Sequence, residues 1–315
     1  YTPETGLGFG AAGIYPFRFS DADLESQIQV GFAYTTLNQV LLYAPFNLYT
    51  KNYRLEGELG FYKYTYQFYG IGNEVPFDYE EDYDVSFPRI RLNAYRNIAK
   101  LALGFSLISD FYNTLKLEDG KMLASGNVAG AQDARYLGIG PALVYDSRNN
   151  SFFPTSGLLL NARFIQHPKW TENYFSFREL NLQLAAYRSL AANMVLAGQF
   201  GFEQNWGDVP FYQMAGLGGP KIHRGYYADR FRDLSNSFLQ GELRYQPKRI
   251  GAVLFANVGW MSNTPENYQW ENAIYTYGVG ARYQLQKDSD LNLRFDVGLS
   301  PQGTANFYFT VLEAF

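Results

Sequence analysis

Apolar and polar residues alternate one by one along most of the chain, which is the pattern of β-strands with two different faces. The segment YRLEGELGF at 53–61 carries large apolar side chains at four of its five odd positions and arginine, glutamate or glycine at the even ones. The segment LNLRFDVGL at 291–299 repeats the pattern, with Asn, Arg, Asp and Gly on its polar face. Helical periodicity is nearly absent, so the sequence predicts an all-β fold.

The length of these runs indicates what surrounds the strands. They extend for roughly nine to twelve residues, which is the length that a tilted strand needs to cross a bilayer, whereas soluble strands average about five or six. Their polar faces mix Gly, Asn, Gln, Arg and Glu, as in a hydrated barrel interior. Because only closed barrels cross lipid with strands, we predict a transmembrane antiparallel β-barrel that forms a single domain over residues 1–315.

The pattern predicts fifteen strands. They are at about 5–15, 26–36, 38–48, 52–64, 85–96, 99–110, 135–146, 157–167, 175–188, 191–204, 235–246, 250–261, 273–285, 289–299 and 304–315.

The connections between these strands alternate in length. Short turns such as NLYTKN, RNIA, SLAA, QPKR and QKDSD fall on one side, and long loops at 65–84, 111–134, 205–234 and 262–272 fall on the other. Outer-membrane barrels keep short turns in the periplasm and long loops outside. The segment TPETG at 2–6 is then an outside loop, and Tyr1 is all that remains of a sixteenth strand, truncated or missing, at the start of the barrel.

Composition and charge narrow the function classes. The chain has 315 residues with 27 Tyr and 26 Phe, an abundance typical of aromatic girdles at membrane interfaces. The net charge of −4 disfavours nucleic acid as a partner. There are no cysteines, which excludes disulfides and thiolate chemistry. No cofactor is predicted.

Three motifs resemble one family. They are HRGYYADRFRD at 223–233, YDSRNNSFFPTSG at 145–157, and LQGELRY at 239–245 followed by FANVGW at 255–260. Together they resemble the BamA/TamA superfamily of outer-membrane assembly and translocation factors, also called bacterial surface antigen proteins. The resemblance spans nearly the whole chain, with His223 where the family usually has an aliphatic residue.

The resemblance implies that the loop with Arg224, Gly225 and Tyr226 folds back into the barrel and closes it. In the family the loop arginine contacts acidic positions on the next two strands, and Glu242 matches the first of them. Asn257 stands where the family usually has Asp, so the second contact is expected to be weaker. We therefore expect a plug of the barrel interior rather than a ligand site.

Two further features have expected roles. In the 145–157 motif we expect a structural periplasmic turn, tied by Asp146 and Arg148 and shaped by Pro154 and Gly157, with Tyr145 at its start.

The last segment, NFYFTVLEAF, alternates and ends at Phe315, and it resembles the terminal aromatic signal by which barrel proteins are recognised for insertion. Glu313 interrupts its apolar face.

Other chemistry has little support in the sequence. The acidic segment FDYEEDYDVSF at 77–87 lacks the ligand spacing and glycine of a calcium loop, so we interpret it as a solvated charge run and predict no metal site. The only two histidines, His167 and His223, have no neighbouring serine or acid that suggests a catalytic triad. We therefore expect no enzymatic activity.

Three functions remain open. The resemblance favours a barrel in the outer membrane of a Gram-negative bacterium that assists insertion or translocation of outer-membrane polypeptides. Expected partners are membrane lipids and lipopolysaccharide, client proteins, and periplasmic or lipoprotein subunits. The alternatives are a non-catalytic anchor or conduit for a removed N-terminal passenger or a larger complex, and a small-solute porin. We expect no POTRA or passenger domain within residues 1–315.

Overall fold

A computed structural model describes residues 7–22, 25–72, 75–285 and 291–315. Fifteen strands form one antiparallel sheet in which each long strand pairs with the next along the chain, and two short strands form a separate hairpin. The fold is the transmembrane antiparallel β-barrel that the alternation predicts. The strands are β1 (Gly8–Phe17), β2 (Ser26–Thr35), β3 (Val40–Tyr49), β4 (Tyr53–Phe68), β5 (Glu81–Ile98), β6 (Leu101–Leu117), β7 (Asp133–Asp146), β8 (Gly157–His167), β9 (Phe177–Ala191), β10 (Met194–Gly207), β11 (Ala215–Leu217), β12 (Phe231–Asp233), β13 (Ser235–Tyr245), β14 (Ile250–Ser262), β15 (Ile274–Gln284), β16 (Asn292–Leu299) and β17 (Ala305–Val311).

The sheet places polar side chains on its inner face and apolar side chains on its outer face, which is the reverse of a soluble protein. On β14, Phe255 and Asn257 are buried inside, whereas Leu254, which points the other way, is 58% exposed. Four arginines are among the largest fully buried side chains, while large aliphatic and aromatic side chains cover the outer face. This arrangement follows from the two-residue period, because lipid accepts the apolar face and the barrel interior holds the polar one.

All fifteen predicted segments correspond to strands, but some ends differ. Strand β5 begins at Glu81, four residues before the predicted start, and so takes in part of the acidic segment. Strand β17 ends at Val311 rather than at 315, because Leu312 adopts a left-handed backbone with φ of 72°. The TPETG segment, Tyr1 and the QKDSD turn lie outside the described residues.

The two ends of the sheet differ in their connections. The long-loop end carries residues 69–72 and 75–80, 118–132, 208–234 and 263–273, and the short-turn end carries 50–52, 99–100, 192–193 and 246–249. Within the described ranges, four one-turn 3-10 helices occur at Leu123–Ser125, Phe211–Gln213, Pro265–Asn267 and Trp270–Asn272. In the part of the chain that the structure describes, no helix is long and apolar enough to span a membrane.

The 208–234 connection folds into the barrel and carries the hairpin of β11 and β12. Beside it, near the long-loop end, lies the largest apolar core among the described residues, which is rich in aromatic side chains and includes Phe68, Tyr83, Phe87 and Tyr136. The interior of this half of the barrel is therefore filled by the connection and the side chains packed against it.

Candidate functional site: a loop locked inside the barrel

Arg224 lies at the centre of the contacts between the connection and the wall. Its side chain is fully buried, and its guanidinium reaches Glu242 on β13 and Asp296 on β16. Nη1 donates to Asp296 Oδ2 at 2.6 Å, and Nη2 donates to Glu242 Oε1. The guanidinium carbon lies 3.7 Å from the centroid of the Phe255 ring. Two carboxylates and an aromatic face thus compensate a cation that burial would otherwise disfavour strongly.

The two carboxylates also bind other buried arginines. Arg244 Nε donates to Glu242 at 2.7 Å, and Arg282 Nη1 donates to Asp296 at 2.6 Å. Arg294 lies 3.5 Å from the same Asp296 carboxylate. Each of the two carboxylates therefore pairs with arginines of the wall as well as with Arg224. These pairs fix the positions of the carboxylates on β13 and β16.

The expected contact between Arg224 and Asn257 is wrong. Asn257 donates its side-chain N–H to the Thr276 hydroxyl across the β14–β15 pair at 2.6 Å, and its Oδ1 has no partner among the described residues. Asp296 provides the second acid instead, so the second contact is a full ion pair rather than a weaker neutral bond.

The sequence does contain a signal for Asp296. The string Asp-Val-Gly at 296–298 has the same spacing as Asn-Val-Gly at 257–259, with the acid retained. Gly298 lets the loop approach, because a Cβ there would lie 2.4 Å from the carbonyl group of Arg224. An acid that holds the arginine and a glycine that admits its backbone therefore stand two residues apart on β16.

The backbone of Gly225 is held by β17 and the residues before it. Gly225 has φ of 130°, a conformation that favours glycine. Its N–H donates to the Tyr308 hydroxyl at 3.0 Å, and its carbonyl accepts from the Thr304 hydroxyl at 2.9 Å and the Asn306 amide at 2.7 Å. The loop is thus hydrogen-bonded to the last strand of the sheet as well as to the charged wall.

Tyr226 extends this attachment. Its ring is buried and packs edge-on against Phe231 with 4.8 Å between ring centroids. Its hydroxyl donates to Gln302 at 2.5 Å, and its carbonyl accepts from the Tyr308 hydroxyl at 2.6 Å. The Arg-Gly-Tyr motif therefore contacts the wall through all three residues, and we name it the loop lock (Arg224–Tyr226).

A second attachment, absent from the sequence interpretation, lies at the other wall of the barrel. We name it the second anchor (Phe211–Gln213). Tyr212 stacks on Tyr112 of β6 with 3.9 Å between ring centroids and 5° between planes. The Gln213 amide donates to the Tyr136 hydroxyl on β7 at 2.6 Å. Phe211 is fully buried against the edges of neighbouring rings.

The wall behind the second anchor is ordered by Asp110 of β6, which is fully buried. Its carboxylate accepts from the Tyr136 hydroxyl at 2.7 Å and from Arg91 at 2.6 Å, and it also contacts Arg89 at 3.3 Å. Tyr136 therefore donates to Asp110 and accepts from Gln213, which sets the position of the anchor. The 208–234 connection thus spans the interior between two opposed polar clusters.

Comparison with known proteins identifies the family to which this barrel belongs. The family model described as the Omp85 superfamily domain matches residues 16–315. The chain belongs to the Omp85 superfamily. The comparison with curated protein sequences gave no match.

Two solved Omp85 structures have similar folds. BamA from Haemophilus ducreyi lacking POTRA domains 1–3 matches with a TM-score of 0.62 and 14% identity, over 99% of this chain and 68% of that one. CdiB from Escherichia coli matches with a TM-score of 0.65 and 14% identity, over 98% of this chain and 59% of that one. At these identities the likeness establishes the fold of an outer-membrane barrel.

The end of this Omp85 barrel turns inward. After Leu312 the chain leaves the sheet, and Glu313 accepts from Arg282 Nε at 2.7 Å inside the barrel. The carbonyl of Phe315 accepts from Arg244 at 3.0 Å, and its ring lies 6.2 Å from that of Tyr187. The expectation that Glu313 interrupts the apolar face of the last strand is therefore wrong, because the strand ends before it.

The 145–157 motif forms a tight turn at the short-turn end. Arg148 binds both oxygens of Asp146, at 3.0 and 2.8 Å. Tyr145 pairs with neighbours on β6 and β8, and Pro154 is buried. Gly157 has φ of 104°, and a Cβ there would lie 2.3 Å from a backbone carbonyl, so the turn requires glycine.

The acidic segment is only partly a solvated run. Glu81 is buried and accepts from the Tyr79 hydroxyl at 2.9 Å and the Leu123 N–H at 3.2 Å. This carboxylate fastens the 118–132 connection to β5. Within the described residues no group of three or more His, Asp or Glu side chains is placed to hold a metal ion.

His223, the residue before the loop lock, is expected to give the loop a pH dependence. Its ring is fully buried and its Nε2 lies 3.1 Å from the Ile274 carbonyl, so the neutral ring donates there. Burial lowers the pKa of His223 to about 4. Because the unfolded value is near 6.5, the loop is most stable above pH 6.5 and loses stability as the pH falls from 6.5 towards 4.

We expect acidification from pH 7.5 to 5.0 to destabilise the loop by about 2 kcal/mol through this group. His223→Gln keeps a donor for the Ile274 carbonyl and should remove most of that dependence. Protease protection of the 208–234 connection at the two pH values measures both effects. Equal pH dependence in the two proteins would show that His223 does not carry it.

Proposed function

We propose that this Omp85 barrel assists the insertion or translocation of other outer-membrane polypeptides, which pair with the sheet edges at β1 and β17. The observation that supports this most directly is that, among the described residues, β1 and β17 stand at the two ends of the sheet order and each is paired with one neighbouring strand. A strand edge with unpaired N–H and C=O groups templates pairing with an incoming strand. Strand β17 has seven residues against ten in β1, so the two edges differ in length.

The loop lock contacts the edge strand β17, and we propose that this contact regulates the edge. Hydrogen bonds from Thr304, Asn306 and Tyr308 to the loop hold β17 and the residues before it. In the proposed function, the lock keeps the last strand in place while the edge of β1 receives the client. A small-solute porin is disfavoured, because the 208–234 connection occupies the interior.

Site-specific photo-crosslinking tests the proposed client contact. A photoreactive amino acid at Ala12 of β1 should capture newly made outer-membrane proteins in cells, while the same probe at Leu184 of β9, within the sheet, should capture few or none. Depletion of the protein should also lower the amounts of several outer-membrane proteins. Equal capture at both positions and unchanged outer-membrane protein levels would favour the alternative, an anchor or conduit.

We further propose that the barrel acts without catalysis, in the outer membrane of a Gram-negative bacterium, in contact with lipids, lipopolysaccharide and partner subunits. The surroundings of its two histidines support the absence of catalysis. His223 bonds to a backbone carbonyl, and the His167 ring stacks on Phe177 with 3.9 Å between ring centroids. Both rings are fully buried, so neither is presented to a substrate.

A further inference from the structure

A trench crosses the lipid-facing side of four adjacent strands. Its floor consists of four directly paired residues with the smallest side chains, one on each of β9, β10, β13 and β14. They are Ala186, Gly198, Gly241 and Ala256.

Two parallel rows of larger side chains, displaced by two residues along each strand, form the walls. One wall is Leu184, Phe200, Leu239 and Val258, and the other is Arg188, Leu196, Leu243 and Leu254. The trench is closed at one end by Leu158 of β8, which pairs with Ala186, and at the other by Tyr277 of β15, which pairs with Ala256. A cavity of about 610 Å³ lies over it.

The fold itself does not require the two glycines of the floor. A Cβ on Gly198 or on Gly241 would have its nearest neighbour at 3.9 Å, which is ordinary van der Waals contact. By contrast, a Cβ on Gly104 or Gly140 would lie 1.8 Å from a backbone carbonyl. Glycine weakens a strand, and larger residues would fit at both positions. We therefore infer that the two glycines serve to keep the floor of the trench low on the outer surface.

One wall ends in a cation. Arg188 is exposed on the lipid-facing side of β9, three residues before the strand ends at Ala191, and it lines the cavity. Within the described ranges it forms no hydrogen bond or ion pair. From Arg188 the floor runs obliquely towards the middle of β14 at Ala256. The three strand spacings between Ala186 and Ala256 make the floor about 14 Å long.

We propose that this trench binds one acyl chain of an anionic phospholipid, whose phosphate pairs with Arg188 at the short-turn end. The position of the trench on the membrane-embedded face makes lipid the molecule that covers it. A cation near the strand ends matches the depth of a headgroup, and a slot that leads from there towards the membrane centre matches the path of an acyl chain. This assignment is independent of any client contact at β1 and β17.

Lipid binding to the purified barrel tests the proposal. Delipidated protein in a neutral detergent is titrated with phosphatidylglycerol and, separately, with phosphatidylcholine of the same acyl chains, and bound lipid is counted by native mass spectrometry. Gly198→Leu with Gly241→Leu fills the floor. Arg188→Ala removes the cation. Arg96→Ala, a lipid-facing arginine near the same end of β5, and Ala281→Leu, on the lipid-facing side of β15, are the matched controls.

We expect the wild-type chain to retain one phosphatidylglycerol and the double leucine variant to lose it, with at least about a tenfold drop in affinity. Arg188→Ala should weaken phosphatidylglycerol about fivefold and leave phosphatidylcholine unchanged. Both control variants should bind like wild type, and heat-modifiability should show that every variant is folded. Equal lipid retention by the wild-type and leucine variants, or release of a co-purified polypeptide by the leucine variant, would overturn the proposal.

Discussion

Replacing Asp296 with Ala is expected to cause the largest loss of stability of any single change among the wall residues that contact the loop lock. The substitution removes the shared partner of Arg224 and Arg282, and both guanidiniums stay buried. Removing one partner of a buried ion pair costs about 3–5 kcal/mol. Glu242 and Glu313 still pair with Arg224 and Arg282, but the buried cluster keeps all its arginines and loses one of its carboxylates, so we expect a loss in this range. The folded form on a cold detergent gel should therefore convert to the unfolded form at a lower temperature, and protease should cut the 208–234 connection.

Asn257→Ala is the matched control for this change. Asn257 lies on the same inner face but bonds to Thr276 rather than to the arginine, so its loss should cost about 1 kcal/mol. Loop protection should remain intact. If Asn257→Ala exposed the loop as strongly as Asp296→Ala, the assignment of the second acid to β16 would be wrong.

Opening the barrel should require release of both attachments of the 208–234 connection. Arg224→Ala removes the ionic contacts at β13 and β16, while the second anchor still holds the other limb through Phe211 and Tyr212. Truncating a buried aromatic side chain costs about 3–5 kcal/mol. Phe211→Ala with Tyr212→Ala should therefore release that limb and leave the loop lock engaged.

Conductance in planar bilayers distinguishes these states. We expect small, unsteady conductance from Arg224→Ala and from the Phe211→Ala and Tyr212→Ala pair. The variant with all three changes should show large, long-lived openings that exceed the sum of the other two. Large openings from Arg224→Ala alone would mean that the second anchor does not help to close the barrel.

The sequence was sufficient for the fold and for one of the two ion pairs that Arg224 makes with the barrel wall. Strict alternation predicts all fifteen strands, because lipid on one side and a polar interior on the other force a two-residue period. Arg224 and Glu242 were predicted together because the motif places them, and alternation turns Glu242 inward. Asp296 was missed because the family resemblance implies a second acid on β14, whereas the guanidinium of Arg224 pairs with Asp296 on β16.

The second anchor was missed for a different reason. Tyr112 and Tyr136 lie in strands that alternate regularly, and aromatic residues in such strands suggest membrane girdles. Only the register of the sheet shows that they face inward, where Tyr212 and Gln213 meet them. The inward turn at Leu312 depends on one backbone torsion angle, which the alternating pattern before it does not predict.

Thiol crosslinking in native outer membranes tests most directly whether the connection lies inside the barrel. The chain contains no cysteine, so only introduced pairs react. The side-chain amide of Gln240 on the wall donates to the Lys221 carbonyl in the loop at 3.1 Å, and to Gln199 Oε1 on the paired strand at 2.5 Å. A cysteine pair at Lys221 and Gln240 should be bridged by a short bifunctional reagent as completely as the strand pair. Bridging of the strand pair alone would contradict a loop held within the barrel.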